Sequence, residues 1–185
     1  MLLPLLAWAV TGAIFFIKPG YGGAYESLAV RTYPVGQLVT VAPGPDWHEV
    51  RQVTTVLGPH LLARTERGWR HFDPITREER LVPTPDTIRT LVTDAIAANA
   101  ERYGRIVEID GTTITTDTGA RISLDWNRLS LSQRGVDTDR IDAIYRVHYL
   151  QWTGVAWLDR IVGGLGLVLL VALSAFGLRL LIRRA

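Results

Sequence analysis

Four histidines are the side chains here best suited to chemistry: His48, His60, His71 and His148. Imidazole ordinarily changes charge near neutral pH and is also a common metal ligand. His148 lies in the run YRVHYLQWTG, residues 145–154, just before the most apolar part of the chain. An imidazole at such a boundary has the chemistry to ligate haem iron or to bond a quinone carbonyl. A six-coordinate haem needs a second axial ligand, and neither apolar segment holds another His or a Cys. The plainer reading is a histidine bonded to a backbone carbonyl, a lipid headgroup or another subunit.

The other three histidines belong to a strand-rich region. His48 beside Glu49, and His71 two residues before Asp73, fall short of the three or four convergent ligands that zinc requires. All three are expected as exposed strand or turn residues. Ser, His and Asp are all present, but no nucleophile-elbow pattern joins them. Cysteine is absent, which excludes disulfides, thiolate metal sites, iron–sulfur clusters and cysteine nucleophiles. The run GGLG at 163–166 sits in an apolar stretch without a following GK[ST], so it is not a phosphate loop. Gly163, Gly164 and Gly166, with Gly12 in the first apolar segment, instead suit close helix packing, within the chain or with another membrane subunit.

Two apolar segments must position these residues. Residues 161–178 carry no charge and would span about 27 Å as a helix, slightly less than a ~30 Å hydrocarbon core. Trp152, Trp157 and Arg160 on one side and Arg179 on the other extend it as interfacial anchors. Residues 2–17 are also uncharged and lack the basic n-region and small-residue cleavage site of a signal peptide, so a retained helix is expected. Arg179, Arg183 and Arg184 place the C-terminal end in the cytoplasm, hence both termini inside and the middle outside. The net charge is only +2, and the stretch between the apolar segments is near neutral. That leaves no concentrated basic face for nucleic acid.

Between the spans, residues 19–45 read as loop, with a short extended piece within 28–41. Residues 47–73 read as two or three antiparallel strands. Residues 83–104 read as a helix: Thr84 is the expected cap, Pro85 fits the first position, and Asp86 suits the positive end of the dipole. Ile88, Leu91, Val92, Ala95, Ile96 and Asn99 share one face, and Gly104 supplies the stop. Three extended runs follow, RIVEID, TTITTD and ARISLDW. The two-residue period puts Val107 with Ile109, and Ile122 with Leu124. Residues 129–142 read as polar and turn-like. The expected class is therefore α+β, with a helix packed on an antiparallel sheet between two transmembrane helices. The divisions are a first span at 1–18, an extracytoplasmic domain at 19–139, an interfacial amphipathic helix at 140–159, a second span at 160–180 and a tail at 181–185.

The segments WAVTGAIFFIKPGY, FDPITREE and YRVHYLQWTGVAWLDRIVGGLGLVLLVALSAFGLRLL resemble the membrane-anchored PepSY-domain proteins. The resemblance implies a first span ending in a small-residue motif such as Trp8-Ala9-Val10-Thr11-Gly12, a β-rich PepSY-like domain with a packed helix, and a histidine before the last span at His148. Four-span relatives include iron–siderophore reductases, some thought to bind haem through intramembrane histidines. This chain has two apolar segments and one candidate ligand. The expected role is a non-catalytic accessory or binding subunit of the bacterial inner membrane, without a cofactor, whose partners are the bilayer and another membrane protein or a second copy. The alternatives are a haem b electron-transfer subunit using His148, and a regulator of an envelope protease.

Overall fold

The computed structural model of the chain describes residues 2–36 and 44–184. It divides into two compact units: residues 22–136, and residues 1–21 together with 137–185.

The first unit is α+β, with two antiparallel sheets rather than the single one expected. Strands β1 (Glu49–Thr55), β2 (Gly58–Thr65) and β3 (Gly68–Phe72) form one sheet in the order β1-β2-β3. Strands β4 (Ile106–Asp110), β5 (Thr113–Thr116), β6 (Arg121–Asp125) and β7 (Ser130–Arg134) form the other, again in sequence order. The fourth strand of that sheet lies in the stretch expected to be turn-like. Its residues SLSQR alternate half-buried Leu131 and Gln133 with exposed neighbours, a strand pattern with only one apolar member.

Between the sheets in sequence runs helix α3 (Pro85–Ile96), which tightens into a 3₁₀ turn (Ala97–Asn99) and ends in the short α4 (Ala100–Tyr103). Ile88, Leu91, Val92, Ala95 and Ile96 are buried as the spacing requires. The expected cap differs: Thr84 makes no side-chain bond to the helix backbone. Its hydroxyl pairs with the Thr87 hydroxyl at 3.0 Å, while its carbonyl accepts from Ile88 N–H at 3.0 Å. Asn99 is only half-buried, and its amide donates to Glu26 Oε2 at 2.9 Å.

One core joins α3 to both sheets. Leu62 contributes from β2, Ile114 from β5, and Ile122 and Leu124 from β6, with Tyr103, Trp126 and Leu129 closing the ends. Leu28 and Val30, from a segment without regular structure, are buried in the same core. That segment is fixed by polar bonds: Gln133 donates to the carbonyls of Ala24 and Glu26, and Tyr33 N–H bridges to Thr54 O. The extended piece expected within 28–41 is thus a single bridge at Tyr33, and positions 37–41 lie outside the described residues.

The two-residue period fails at β4. The register of β4 on β5 shifts between Ile106 and Glu108, a bulge that turns one residue out of alternation. Ile106 and Ile109 therefore pack on the core, while Val107, expected beside Ile109, is 60% exposed.

Gly104 ends the helix as expected, at φ +60 and ψ −133, backbone that only glycine adopts without strain. A Cβ there would also stand 2.9 Å from Thr118 Cγ2 and 3.0 Å from Asp117 Cγ. Those two residues complete the helix end: Thr118 Oγ1 donates to Arg102 O at 2.8 Å, and Asp117 Oδ1 accepts from Arg105 N–H at 2.8 Å. Gly104→Ala is expected to destabilise this unit by about 2 kcal/mol, read as a lower denaturant midpoint at unchanged slope.

The second unit is helical. Helix α1 covers Leu2–Ile17, a four-residue turn α2 covers Tyr21–Ala24 at its border, α5 covers Val136–His148, and α6 covers Ala156–Arg184. Within α6, Ala156–Gly177 is long and apolar enough to cross a membrane, and none of that stretch is buried by the chain. The helix expected over 140–159 is interrupted instead. It stops at His148, Leu150 and Gly154 take positive φ (56 and 73), and α6 begins at Ala156. Asp159 fixes the new start by accepting from Thr153 N–H at 3.0 Å and from Thr153 Oγ1 at 2.7 Å. A carboxylate there complements the positive end of the helix dipole.

Candidate functional site

His148 is the last residue of α5, and side chains of α1 hold its ring. Thr11 Oγ1 lies 2.9 Å from His148 Nδ1. The same hydroxyl donates to Ala7 O at 2.7 Å, one helical turn back. It also reaches Trp8 O at 3.1 Å, and with its single proton on either carbonyl, Oγ1 accepts from His148 Nδ1–H and the lone pair resides on Nε2. Trp8 stacks on the imidazole at 5.4 Å and 16°, and Phe15 meets it edge-on at 4.8 Å. Phe15 also stacks on Tyr145 at 4.4 Å. The first-span motif and the YRVHYL run, far apart in sequence, thus meet around one ring. Gly12 takes part because its missing side chain faces His148 Cε1, 3.8 Å from where a Cβ would stand.

Beside this ring runs a groove of about 510 Å³ along α6, a volume typical of a small-molecule site. Trp8, His148 and Tyr149 line its polar end, and Leu169, Leu170 and Leu173 lie further along. Gly163 and Gly166 of α6 are part of its lining. A Cβ at Gly166 would stand 2.8 Å from Leu150 Cδ1, and one at Gly163 would stand 3.8 Å from Tyr149 O, whereas Gly164 faces open space. Gly163 and Gly166 therefore admit the α5–α6 connection. Trp152 donates its indole N–H to Val147 O at 3.2 Å and lines the same groove, while Trp157, Arg160 and Arg179 are exposed on α6.

Ligating histidines usually donate their second ring nitrogen to a fixed acceptor, and the Thr11 bond has that form. The groove fits haem poorly in other respects. It offers one imidazole, and among the described residues its lining includes no Lys or Arg to meet the two propionates.

A second cluster lies in the α+β unit, where exposed histidines were expected. His60 and His71 are buried, at 1% and 0% exposure. His60 Nδ1 lies 2.9 Å from His71 Nε2, His60 Nε2 lies 2.7 Å from Thr55 Oγ1, and His71 Nδ1 lies 3.1 Å from Trp126 O. A carbonyl only accepts, so His71 Nδ1 donates. His60 Nδ1 thus stands between His71 Nε2 and the Arg80 guanidinium, whose Nη1, a donor only, lies 3.1 Å away, while His60 Nε2 meets the Thr55 hydroxyl. Burial, then the neighbouring His71, then Arg80 hold His60 down to about 3. Burial, then Arg80, hold His71 down to about 4. Arg80 is itself paired with Asp73 at 2.6 Å, and that bond holds the Asp73 carboxyl down to about 2.

Sequence alone does not reveal this pair, because its partners Trp126 and Arg80 are remote. One signal was available: a two-residue turn at Glu66-Arg67 pairs Leu62 with His71 and places His60 diagonally on the same face. His48 stands apart just before β1, and among the described residues no three His, Cys, Asp or Glu side chains gather as a metal site.

No family model, curated protein or solved structure matches this chain.

Proposed function

We propose that the chain is a membrane-anchored accessory subunit of a bacterial cell-envelope assembly, non-catalytic, presenting its α+β unit as a PepSY-like binding module. The observation that carries this reading is α6. The stretch Ala156–Gly177 is long and apolar enough to cross a membrane and unburied by the rest of the chain, and after Arg160 it carries no charge. A helix apolar all round needs lipid or another membrane protein as its surroundings. The arginines at 179, 183 and 184 put the following end in the cytoplasm. With α1 as a second, shorter span, the termini are cytoplasmic and the α+β unit is periplasmic.

Gentle detergent extraction from the native membrane, followed by identification of co-purifying chains, tests the role. A stoichiometric membrane partner is expected, and its recovery should fall when Leu167 and Val168, both exposed on α6, are replaced by Trp. Recovery of the chain from the soluble fraction after mild lysis would refute the anchor. A visible Soret band lost in His148→Ala would replace this reading by the haem-binding one, to which the Thr11-tethered imidazole gives its only support.

A further inference from the structure

The groove beside His148 has a polar end and an apolar length. Its polar end holds the His148 imidazole, with the Tyr149 hydroxyl and the Trp8 indole on the same lining. Nδ1 is taken by Thr11, while Nε2 has no partner among the described residues and is not among the buried unpaired atoms. It is therefore open, and by the Thr11–Ala7 bond it is an acceptor. Trp8 and Tyr149 flank it as aromatic walls, with His148 and Tyr149 edge to face at 5.4 Å. From Gly166 to Leu173 the groove continues roughly two helical turns along α6, lined only by Leu and Gly. Among the described lining residues there is no charge, so the occupant is neutral.

We propose that this groove binds an isoprenoid quinol, with a ring hydroxyl donating to His148 Nε2, the ring between the aromatic walls and the tail lying along α6. The chemistry is that of a neutral amphiphile with a hydrogen-bond donor on a flat head. Aliphatic lipid alcohols share the donor and tail but not the ring. A quinone presents only acceptor oxygens to a nitrogen lone pair, so the oxidised form lacks the defining bond. The site therefore discriminates redox state by the tautomer that Thr11 enforces. The inference rests on the membrane-anchored reading, and incorporation of the chain into lipid nanodiscs checks that reading separately.

The experiment uses the full-length chain in nanodiscs and isothermal titration under anaerobic conditions. Its probes are a short-tailed benzoquinol, the corresponding benzoquinone and a saturated alcohol of equal chain length. Quinol is expected to bind about three- to tenfold more tightly than quinone, the equivalent of one neutral hydrogen bond, and more tightly than the alcohol. Thr11→Val frees the imidazole to place its proton on Nε2, so the two redox forms should then bind within twofold of each other. His148→Phe should weaken quinol binding by the same three- to tenfold. Leu169→Trp, which fills the apolar length without touching the imidazole, should abolish binding of all three probes and covers the case in which His148→Phe does not fold. Gly164→Ala faces open space and should change nothing. Equal affinity of the wild-type chain for quinol and quinone, alcohol binding as tight as quinol, or quinol binding untouched by both His148→Phe and Leu169→Trp each overturns the proposal.

Discussion

Acidification from pH 7 to pH 4 is expected to remove several kcal/mol from the stability of the α+β unit, with most of the loss below pH 6.5. His60 and His71 titrate near 6.5 when unfolded, against about 3 and about 4 in the fold. Between those limits the unfolded chain binds more protons than the folded one, so stability rises with pH. The contribution is whole above about pH 6.5 and drains away as pH falls towards the folded values. Two rings together set an upper slope of about 2.7 kcal/mol per pH unit. The Asp73 carboxyl, held down to about 2, adds its own loss only below about pH 4 and so lies outside the histidine window. Urea midpoints of the detergent-solubilised chain, followed by near-ultraviolet circular dichroism between pH 4.5 and 7.5, measure this. His71→Gln keeps a neutral polar group and should shrink the slope by about half. A flat midpoint across that range would mean that the pair is not buried neutral.

The second large effect is expected at Leu91. It is 0% exposed at the centre of the α3 stripe, in the core shared by both sheets. Leu91→Ala should cost about 3 kcal/mol, the lost transfer energy plus the cavity left behind. Val107→Ala, one strand away, should cost less than about 0.5 kcal/mol because the β4 bulge points Val107 outward. The contrast is the sharper measurement. Two apolar residues that sequence periodicity treats alike should differ about sixfold in cost, and similar urea midpoints for the two variants would contradict the bulge.

These cases mark what the sequence makes legible. Helix α3 is readable because its apolar residues recur at helical spacing, with Pro85 and Gly104 as local start and stop signals. The strand pairs are readable from turns only a few residues long. Val107 is not, since a bulge depends on how β4 meets β5 and leaves no trace in the period. Strand β7 is missed because Gln133 occupies an inward position, where its amide serves the carbonyls of Ala24 and Glu26. Leu28 and Val30 are missed because they are buried without regular structure. At the candidate site, His148 stands out by its place before the apolar run. Its tautomer does not, because Thr11 is 137 residues away.

Within the two sheets each strand pairs with its neighbours in sequence, β1 to β2 to β3 and β4 to β5 to β6 to β7, and single bridges from Tyr33 and Glu79 add to β1 and β3. Closing such short loops costs little chain entropy, and hairpins form within about 10 μs. Chain elongation proceeds at about 5–20 residues per second, so pairing keeps pace with polymerisation. The elements therefore become available for pairing in the order of synthesis: the first sheet, then α3, then the second sheet, with α6 last. Most main-chain hydrogen bonds of the sheets join segments close in sequence, the Tyr33–Thr54 bridge being a longer one, and the side-chain layer between the sheets joins what the strands do not.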